Sequence, residues 1–461
     1  MRHGQLRRNS ASSLLTLLLS FSLANLLLIQ SSVAQTSSSK GYFENVVSPG
    51  YPLTFKRWVH HNANKDLKLL GQESFQYQAS LYPLRGAANN LLFFSSDLSR
   101  FEYSGSTFIP FNFQNDGSFV TFENCVPYFV GAGNCSNIVW NRNGKLESLP
   151  GPGFLDTHEL LQDSDGEYWA IRYINYDCRD FEEFCLPKEP KSLLNLPVLF
   201  DFSPTKVVDC EIVRFDQKGK INFSWSALRN LPSSEMRWDE YLVNESDTSA
   251  LVVGNDGVKY IDAFHCNSID VSKNLNNILV SARNTDSVYS IRMSDGRVDW
   301  KIGGNYWKGK SLSTFQLVSG KKEKRVNLLS GQHDARFMGK SRITVYDNST
   351  NEWRPSRGLV ICIIGQCRGK VEHVFENPMK EHSYCTGSFR RVLGKETWFV
   401  AAWGCSNNDL TIFNSDSKPV VSIYLPETLE SSKFLPEAPG SFYRVVRSLL
   451  TYRITPIALT K

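Results

Sequence analysis

Four residues in this chain of 461 have the types and settings for polar chemistry. His158 stands in "DTHELLQDSDGEYWAIRY", His265 in "DAFHCNSID", Arg283 in "LVSARNTDSVYSI" and His333 in "GQHDARF". The chain has only 8 histidines, and three of them lie among acids and amides. A neutral imidazole is a competent nucleophile and a good leaving group, and it exchanges protons near neutral pH. An arginine offers a planar, permanently charged fork that matches the oxygens of an anion. Taken singly, each histidine fits a structural hydrogen-bonding role better than a catalytic one. Three histidines also fit zinc or copper. An arginine in the same set argues against a metal, because a fixed positive charge repels a cation; no cofactor is expected. Glu159 either orients His158 or caps a turn. Cys266 and Asp334 adjoin His265 and His333, but neighbouring strand residues face opposite sides. His60, His61, His373 and His382 lack such segments and read as surface or structural residues.

The elements that must position these residues read as strands. Segments such as "NLLFFSSD", "CEIVRFDQKGKINFSW", "NILVSARNTDSVYSIRMSDGRVDWKI" and "DLTIFNSDSKPVVSIYL" are short apolar or alternating runs bounded by turn residues. No long stretch carries an apolar period of 3.6 residues. Three segments share one pattern, a strand, a glycine turn and a second strand: "VWNRNGKLESL", "VRFDQKGKINFSW" and "YSIRMSDGRVDWKI". Repeated hairpins at irregular spacing predict an all-β fold, with a β-propeller ahead of a β-sandwich. "CRDFEEFCLPKEPKSLLNLP" reads as a loop insertion, and the terminal "SFYRVVRSLLTYRITPI" as a source of a closing strand. Aromatics at 12% suit half-buried strands. A net charge of +5 with no basic run interleaved with aromatics gives no case for a nucleic-acid surface.

The first 34 residues read as a signal peptide: Arg2, Arg7 and Arg8, then the apolar "LLTLLLSFSLANLLLI", then small residues before a cut near Gln35. A retained N-terminal membrane anchor is the alternative, and the only route to a membrane. Residues 35–89 are expected to form an N-terminal arm, and 90–461 the propeller. Ten cysteines, with Cys125 near Cys135, Cys178 near Cys185 and Cys362 near Cys367, suit local disulfides in an oxidising, secretory compartment. Asn134, Asn222, Asn244 and Asn348 begin N-glycosylation sequons, each of which predicts an exposed loop.

In chain order, the Asp-x-His-Glu segment, the His-x-Asn-Ser segment, the Ser-Ala-Arg strand, the Trp-x-x-Gly-Gly turn at Gly303 and Gly304, and the Gln-His-Asp-Ala-Arg segment resemble the arylsulfotransferase family. The resemblance spans about residues 90 to 425 and is nearest to the eukaryotic-type branch of the superfamily. It implies a six-bladed propeller in which three histidines and one arginine meet at the axis. It implies transfer of a sulfuryl group from an aryl sulfate donor to a phenolic acceptor through a sulfo-histidine. His333 maps to the nucleophile, and His158, His265 and Arg283 to the groups that hold the sulfate and serve the leaving oxygen. The competing expectation is an extracellular binding propeller that keeps the anion pocket without transfer; a weaker one is a hydrolase that uses water.

Overall fold

The protein is described here from a computed structural model covering residues 41–47, 55–83, 90–105, 109–113, 119–129, 132–142, 145–185, 204–237, 251–254, 256–312, 315–318, 322–325, 329–350, 352, 354–383, 385–393, 397–404, 410–424 and 449–458. The signal-peptide expectation and Asn244 lie outside these residues. Apart from Gly41 all belong to one unit, Tyr42–Lys461.

The fold is all-β. Among the described residues there are six sheets of four to six strands, one two-stranded hairpin, and only short helices such as Asn64–Leu70 and Ala227–Asn230. Each sheet is built mainly from consecutive antiparallel hairpins. The three sequence hairpins all form: Ala132–Arg142 pairs with Lys145–Leu155, Lys206–Phe215 with Ile221–Ser226, and Ser287–Arg292 with Val298–Gly303. The first sheet joins distant parts of the chain. Phe75–Pro83 takes Asn90–Ser95 on one edge and Leu449–Ala458 on the other. The C-terminal segment therefore supplies a strand, as its pattern suggested.

Segment 35–89 contributes strands to two sheets. Tyr42–Val46 and Phe55–Val59 extend the last sheet beyond Pro419–Tyr424, and Phe75–Pro83 lies inside the first. A boundary at residue 90 thus falls between two hydrogen-bonded neighbours. The pairings of Phe55–Val59 with Pro419–Tyr424 and of Phe75–Pro83 with Leu449–Ala458 leave no local signal, because the partner lies over 300 residues away.

Successive sheets bury apolar faces against one another. Along the chain, the third sheet is built around Tyr168–Asp177 and Lys206–Phe215, the fourth runs from Cys266–Ser272 to Val298–Gly303, the fifth from His333–Met338 to Val371–Glu376 and the sixth from Ser388–Leu393 to Pro419–Tyr424. Trp169, Ile171 and Ile212 of the third pack with Ile269, Val280 and Tyr289 of the fourth. Val288 and Ile302 of the fourth pack with Ile343 and Leu359 of the fifth. Tyr346 and Phe375 of the fifth meet Phe389, Phe399 and Trp403 of the sixth. Val400 and Ile412 of the sixth close on Tyr77, Leu92 and Phe94 of the first. Middle strands covered on both faces read as near-continuous apolar runs, and Asn277–Ala282 and Arg357–Cys362, apolar apart from Asn277, Ser281 and Arg357, are buried along their whole length.

Disulfides Cys178–Cys185 and Cys362–Cys367 form locally. Cys210–Cys266 joins the third sheet to the fourth, a pairing across 56 residues that spacing did not reveal. Cys125 pairs in register with Cys135 in adjacent strands, and Cys135 is disulfide-bonded.

Candidate functional site

The three histidines occupy one structural position in three consecutive sheets. His158 precedes Leu160–Gln162, the first strand of the third sheet. His265 precedes Cys266–Ser272 of the fourth, and His333 opens His333–Met338 of the fifth. Thr386 stands at the same place ahead of Ser388–Leu393 in the sixth. The first strands are laced together: the Asn267 amide donates to the Gln332 carbonyl at 2.7 Å, Ala335 N–H to Ser268 Oγ at 3.0 Å, and Phe337 N–H to Asp270 at 2.7 Å. This lacing fixes the head of the fifth sheet against that of the fourth, and the His158 ring joins them through His265.

The rings of His158 and His265 lie 5.3 Å apart at an interplanar angle of 82°, and Tyr173 stands 6.3 Å from each. The Tyr173 hydroxyl donates to the Cys266 carbonyl at 2.7 Å and so braces the strand behind His265. Arg283 comes from the strand end that follows Asn277–Ala282. Its N–H donates to the His265 carbonyl at 3.0 Å, and Asn284 N–H to the Phe264 carbonyl at 3.0 Å. The backbone of the arginine turn is thereby pinned to the backbone of the second histidine. Two glycines make that turn possible. A Cβ on Gly303 would come within 2.2 Å of the Asp286 carbonyl, and one on Gly304 within 2.2 Å of the Thr285 carbonyl. Both contacts are closer than any side chain tolerates, which explains the "WKIGG" segment.

His333 shares the field of the other three residues. Burial pushes its imidazole pKa well below the ordinary value; Arg283, His265 and His158 add to the depression, and the Asn348 hydrogen bond opposes it in part. His333 is therefore close enough to feel the charge of the other three; His158 is 6% exposed, Arg283 5% and His333 8%, and His265 is partly buried.

Each histidine is held at Nδ1, but by different partners. The Asp156 carboxylate takes the ring of His158 and also its backbone N–H at 2.8 Å. The Asp262 carboxylate holds the ring of His265 and its N–H at 3.0 Å. His333 Nδ1 lies 2.9 Å from the Gly331 carbonyl and 2.7 Å from Asn348 Oδ1. A carbonyl can only accept, so Nδ1 carries the proton and Nε2 keeps its lone pair.

The acidic neighbours singled out in the sequence do other work. Asp156, two residues before His158, holds its ring, and Glu159 bonds Arg336. Asp334 points away from the His333 ring and binds Arg336 and Arg390. Cys266 faces the core in its disulfide. Of the sequon residues, Asn222 is exposed and donates to Glu167 at 2.9 Å. Asn134 lies in strand Ala132–Arg142. Asn348 corrects an expectation: it is 0% exposed, Oδ1 faces His333, and Nδ2 donates to the Thr386 carbonyl at 2.8 Å. A buried amide with both ends engaged has no room for a glycan.

The residues that the sequence reading did not assign are the partners: Asp156, Asp262, Asn348 and Tyr173. Asp156 and Asp262 had a signal, an Asp two or three positions before each histidine. Asn348 and Tyr173 reach the site only through sheet pairing. His60, outside the site, bonds Ser422 Oγ at 2.9 Å, and burial lowers its pKa to about 4. A separate cavity of about 690 Å³ lies at the far end of the His333 strand, beside Met338, Arg342 and His373. Its Arg342 is engaged by Glu372, and His373 is exposed, so it lacks the buried, partnered rings of the histidine cluster.

Comparison with known proteins adds the following. The arylsulfotransferase (ASST) family matches residues 203–359, a span that holds His265, Arg283, His333 and Asn348 but not His158. The matched span is about a third of the chain. No curated protein matches the chain. Among solved structures, the chain is similar to a periplasmic gluconolactonase from Pseudomonas aeruginosa, at 8% identity, TM-score 0.41, covering 84% of this chain and 99% of that one. It is similar to a putative 6-phosphogluconolactonase from Bacteroides fragilis at 11% identity, TM-score 0.34, covering 76% and 98%. Its likeness to the Kuenenia stuttgartiensis hydrazine synthase is 9% identity and TM-score 0.25, with 48% of this chain matched to 46% of that one, less than half its length. At these scores none of the three bears on the chemistry.

Proposed function

We propose that this chain, whose residues 203–359 match the arylsulfotransferase family, is a secreted six-bladed propeller that moves a sulfuryl group from an aryl sulfate to a phenol through a sulfo-histidine at His333. The observation that carries the reading is the state of His333 beside Arg283 and two carboxylate-backed histidines. Its Nδ1 faces two oxygen acceptors, at 2.9 and 2.7 Å, so its lone pair is at Nε2.

In the first half-reaction Nε2 attacks sulfur, and the bond from sulfur to the aryl oxygen breaks. Arg283 grips the outer oxygens of the sulfuryl group as they rearrange. The departing aryl oxygen takes a proton from His158 or His265, whose aspartates hold Nδ1 and stabilise a ring that carries a proton on each nitrogen. The free phenol leaves. In the second half-reaction an acceptor phenol gives its proton to that histidine, its oxygen attacks sulfur, and the nitrogen–sulfur bond breaks. His333 returns to its starting state, and no metal or other cofactor enters the proposal. Sheets packed in series, with the sixth closing on the first, support the propeller part of the reading. Disulfides among the described cysteines are compatible with an oxidising extracellular compartment. No helix among the described residues is long and apolar enough to cross a membrane.

The test is incubation of the purified protein with a chromogenic aryl sulfate, with and without an added phenol. Chromophore release that rises with acceptor, together with a sulfated acceptor product, is the expected result. Release indifferent to the phenol means transfer to water, and no release under either condition removes the reading. A variant sharpens it. Arg283→Lys keeps the charge but loses the fork, and kcat/KM should fall by the equivalent of about 2–4 kcal/mol, as for loss of one oriented donor to a developing anion. Near-normal turnover in the folded variant would put Arg283 in structure alone.

A further inference from the structure

Asn348 is a sequon asparagine with no surface, and its chemistry lies inside the site. The turn that carries it is clamped to the run-in of His333. Ser330 N–H donates to Asp347 Oδ1 at 3.0 Å, and Thr350 N–H to the Ser330 carbonyl at 3.2 Å. Gly331 adopts φ +64°, and a Cβ there would meet Thr350 Oγ1 at 2.2 Å. Residues 330–333 and 347–350 thus lie against each other with no space to slide, and the Asn348 side chain has one direction to go.

The orientation of its amide is set from outside the ring. Nδ2 donates to the Thr386 carbonyl, which cannot donate back, so Oδ1 must be the end that faces His333. The Gly331 carbonyl is the ring's second acceptor, and Gly331 N–H is itself held by Asp286 Oδ1 at 2.7 Å, from the turn beyond Arg283. We infer that Asn348 is a positioning residue of this site: its oriented amide fixes His333 as the tautomer with hydrogen on Nδ1 and, being uncharged, withholds the support a carboxylate would give to a protonated ring. The other two histidines meet a carboxylate at Nδ1, from Asp156 and Asp262. The division of labour among three similar rings is then written in their Nδ1 partners: amide for the nucleophile, carboxylate for the proton carriers.

The charged groups around His333 agree with this division. Arg283 comes from the adjacent turn, His265 from the head of the fourth sheet and His158 from the head of the third, and all three oppose a positive charge on His333; the Asn348 hydrogen bond favours the protonated ring but brings no charge, and burial with Arg283 outweighs it. On its own strand Asp334 is turned to Arg336 and Arg390. Next to Asn348, Asp347 is committed to Arg354 and Arg357. No carboxylate among the described residues is shown bonded to the His333 ring. The inference rests on His333 being the reactive ring of the proposed function, but its test does not need substrate.

The experiment is ¹⁵N NMR of the full-length protein labelled at histidine, titrated across pH 4–8, for wild type, Asn348→Asp and Asn348→Ala. The expected wild-type His333 signal, assigned by its absence from His333→Gln, is a neutral ring protonated at Nδ1 that stays neutral well below pH 6.5, where an ordinary histidine charges. Asn348→Asp should move its titration to higher pH, and the acid limb of turnover with it. Asn348→Ala should leave a mixture of tautomers and lower kcat by roughly ten- to a hundredfold, by analogy with the loss of a group that orients a metal-bound imidazole, with KM little changed. A wild-type ring protonated at Nε2, or a titration that Asn348→Asp does not move, overturns the inference. If the NMR results hold but aryl sulfates are not turned over, the function proposed above fails and the positioning role stands.

Discussion

His333→Ala should abolish sulfuryl transfer and leave no labelled protein when donor is supplied alone. The wild-type enzyme stalled without acceptor should hold one sulfuryl group, seen as added mass on the peptide that contains "GQHDAR". The reason is the order of events that a nucleophilic histidine imposes. Donor phenol leaves before acceptor phenol binds, so initial rates should give parallel lines in a double-reciprocal plot. Arg283 and the other two histidines can still hold the donor in the variant, so binding should survive while kcat falls by several powers of ten, as when the nucleophile is removed from a preorganised site. The pH dependence follows from the direction of the shift. Nε2 must be unprotonated to attack, and burial together with Arg283 keeps the pKa of His333 well below its ordinary 6.5. A fall in activity caused by protonation of His333 should therefore lie below pH 6.5, not centred on it. Any limb nearer neutrality reports a different group. Normal transfer by His333→Ala would end both the mechanism and the assignment of this residue.

The three histidines and the arginine were legible in the sequence because each sits in a compact segment whose neighbours are polar for local reasons. Asp156 and Asp262 belong to those segments, and the turn geometry that lets a side chain accept from its own histidine two or three residues later is local too. Strand pairs with glycine turns were legible on the same grounds. What escaped was everything set by pairing at a distance. Phe75–Pro83 finds Leu449–Ala458 across most of the chain, so residues before 90 looked like an arm. Asn348 looked like a glycan acceptor because Asn-Ser-Thr is a three-residue pattern, blind to a strand end packed under Thr386. Glu159 was weighed as a support for the histidine next to it, but its partner Arg336 stands 177 positions later.

That partner belongs to the second large expected effect. Asp334 is 0% exposed and binds two guanidinium groups at once: Arg336 at 2.8 and 2.6 Å, and Arg390 at 2.9 and 2.8 Å. Arg336 also reaches Glu159 and the Ile269 carbonyl. Burial works against the charge of Arg336, but Asp334, Glu159 and Asp270 outweigh it and hold its pKa above the usual arginine value. One ionic knot therefore ties the fifth sheet to the third, the fourth and the sixth, one residue along the chain from His333. Removing one member of such a buried set leaves its partners charged without compensation, which costs about 3–5 kcal/mol. Asp334→Ala should lower stability by that amount in denaturant unfolding. Asp334 has φ +52°, where alanine is itself disfavoured, so the substitution mixes backbone strain with lost charge. Asp334→Asn separates them, since asparagine tolerates that conformation and keeps the shape. If charge is the main term, Asp334→Asn should show most of the loss, and adding Arg390→Met should restore part of it by taking away one uncompensated cation. Stability unchanged in both single variants would mean that water replaces the carboxylate at no cost and that the knot does not hold the four sheets in register. The knot matters for the chemistry because each tied sheet, save the sixth, carries one histidine at the head of its first strand. A loosened knot spreads those heads before it unfolds the chain, so transfer in Asp334→Asn should fall even at temperatures where the protein stays folded.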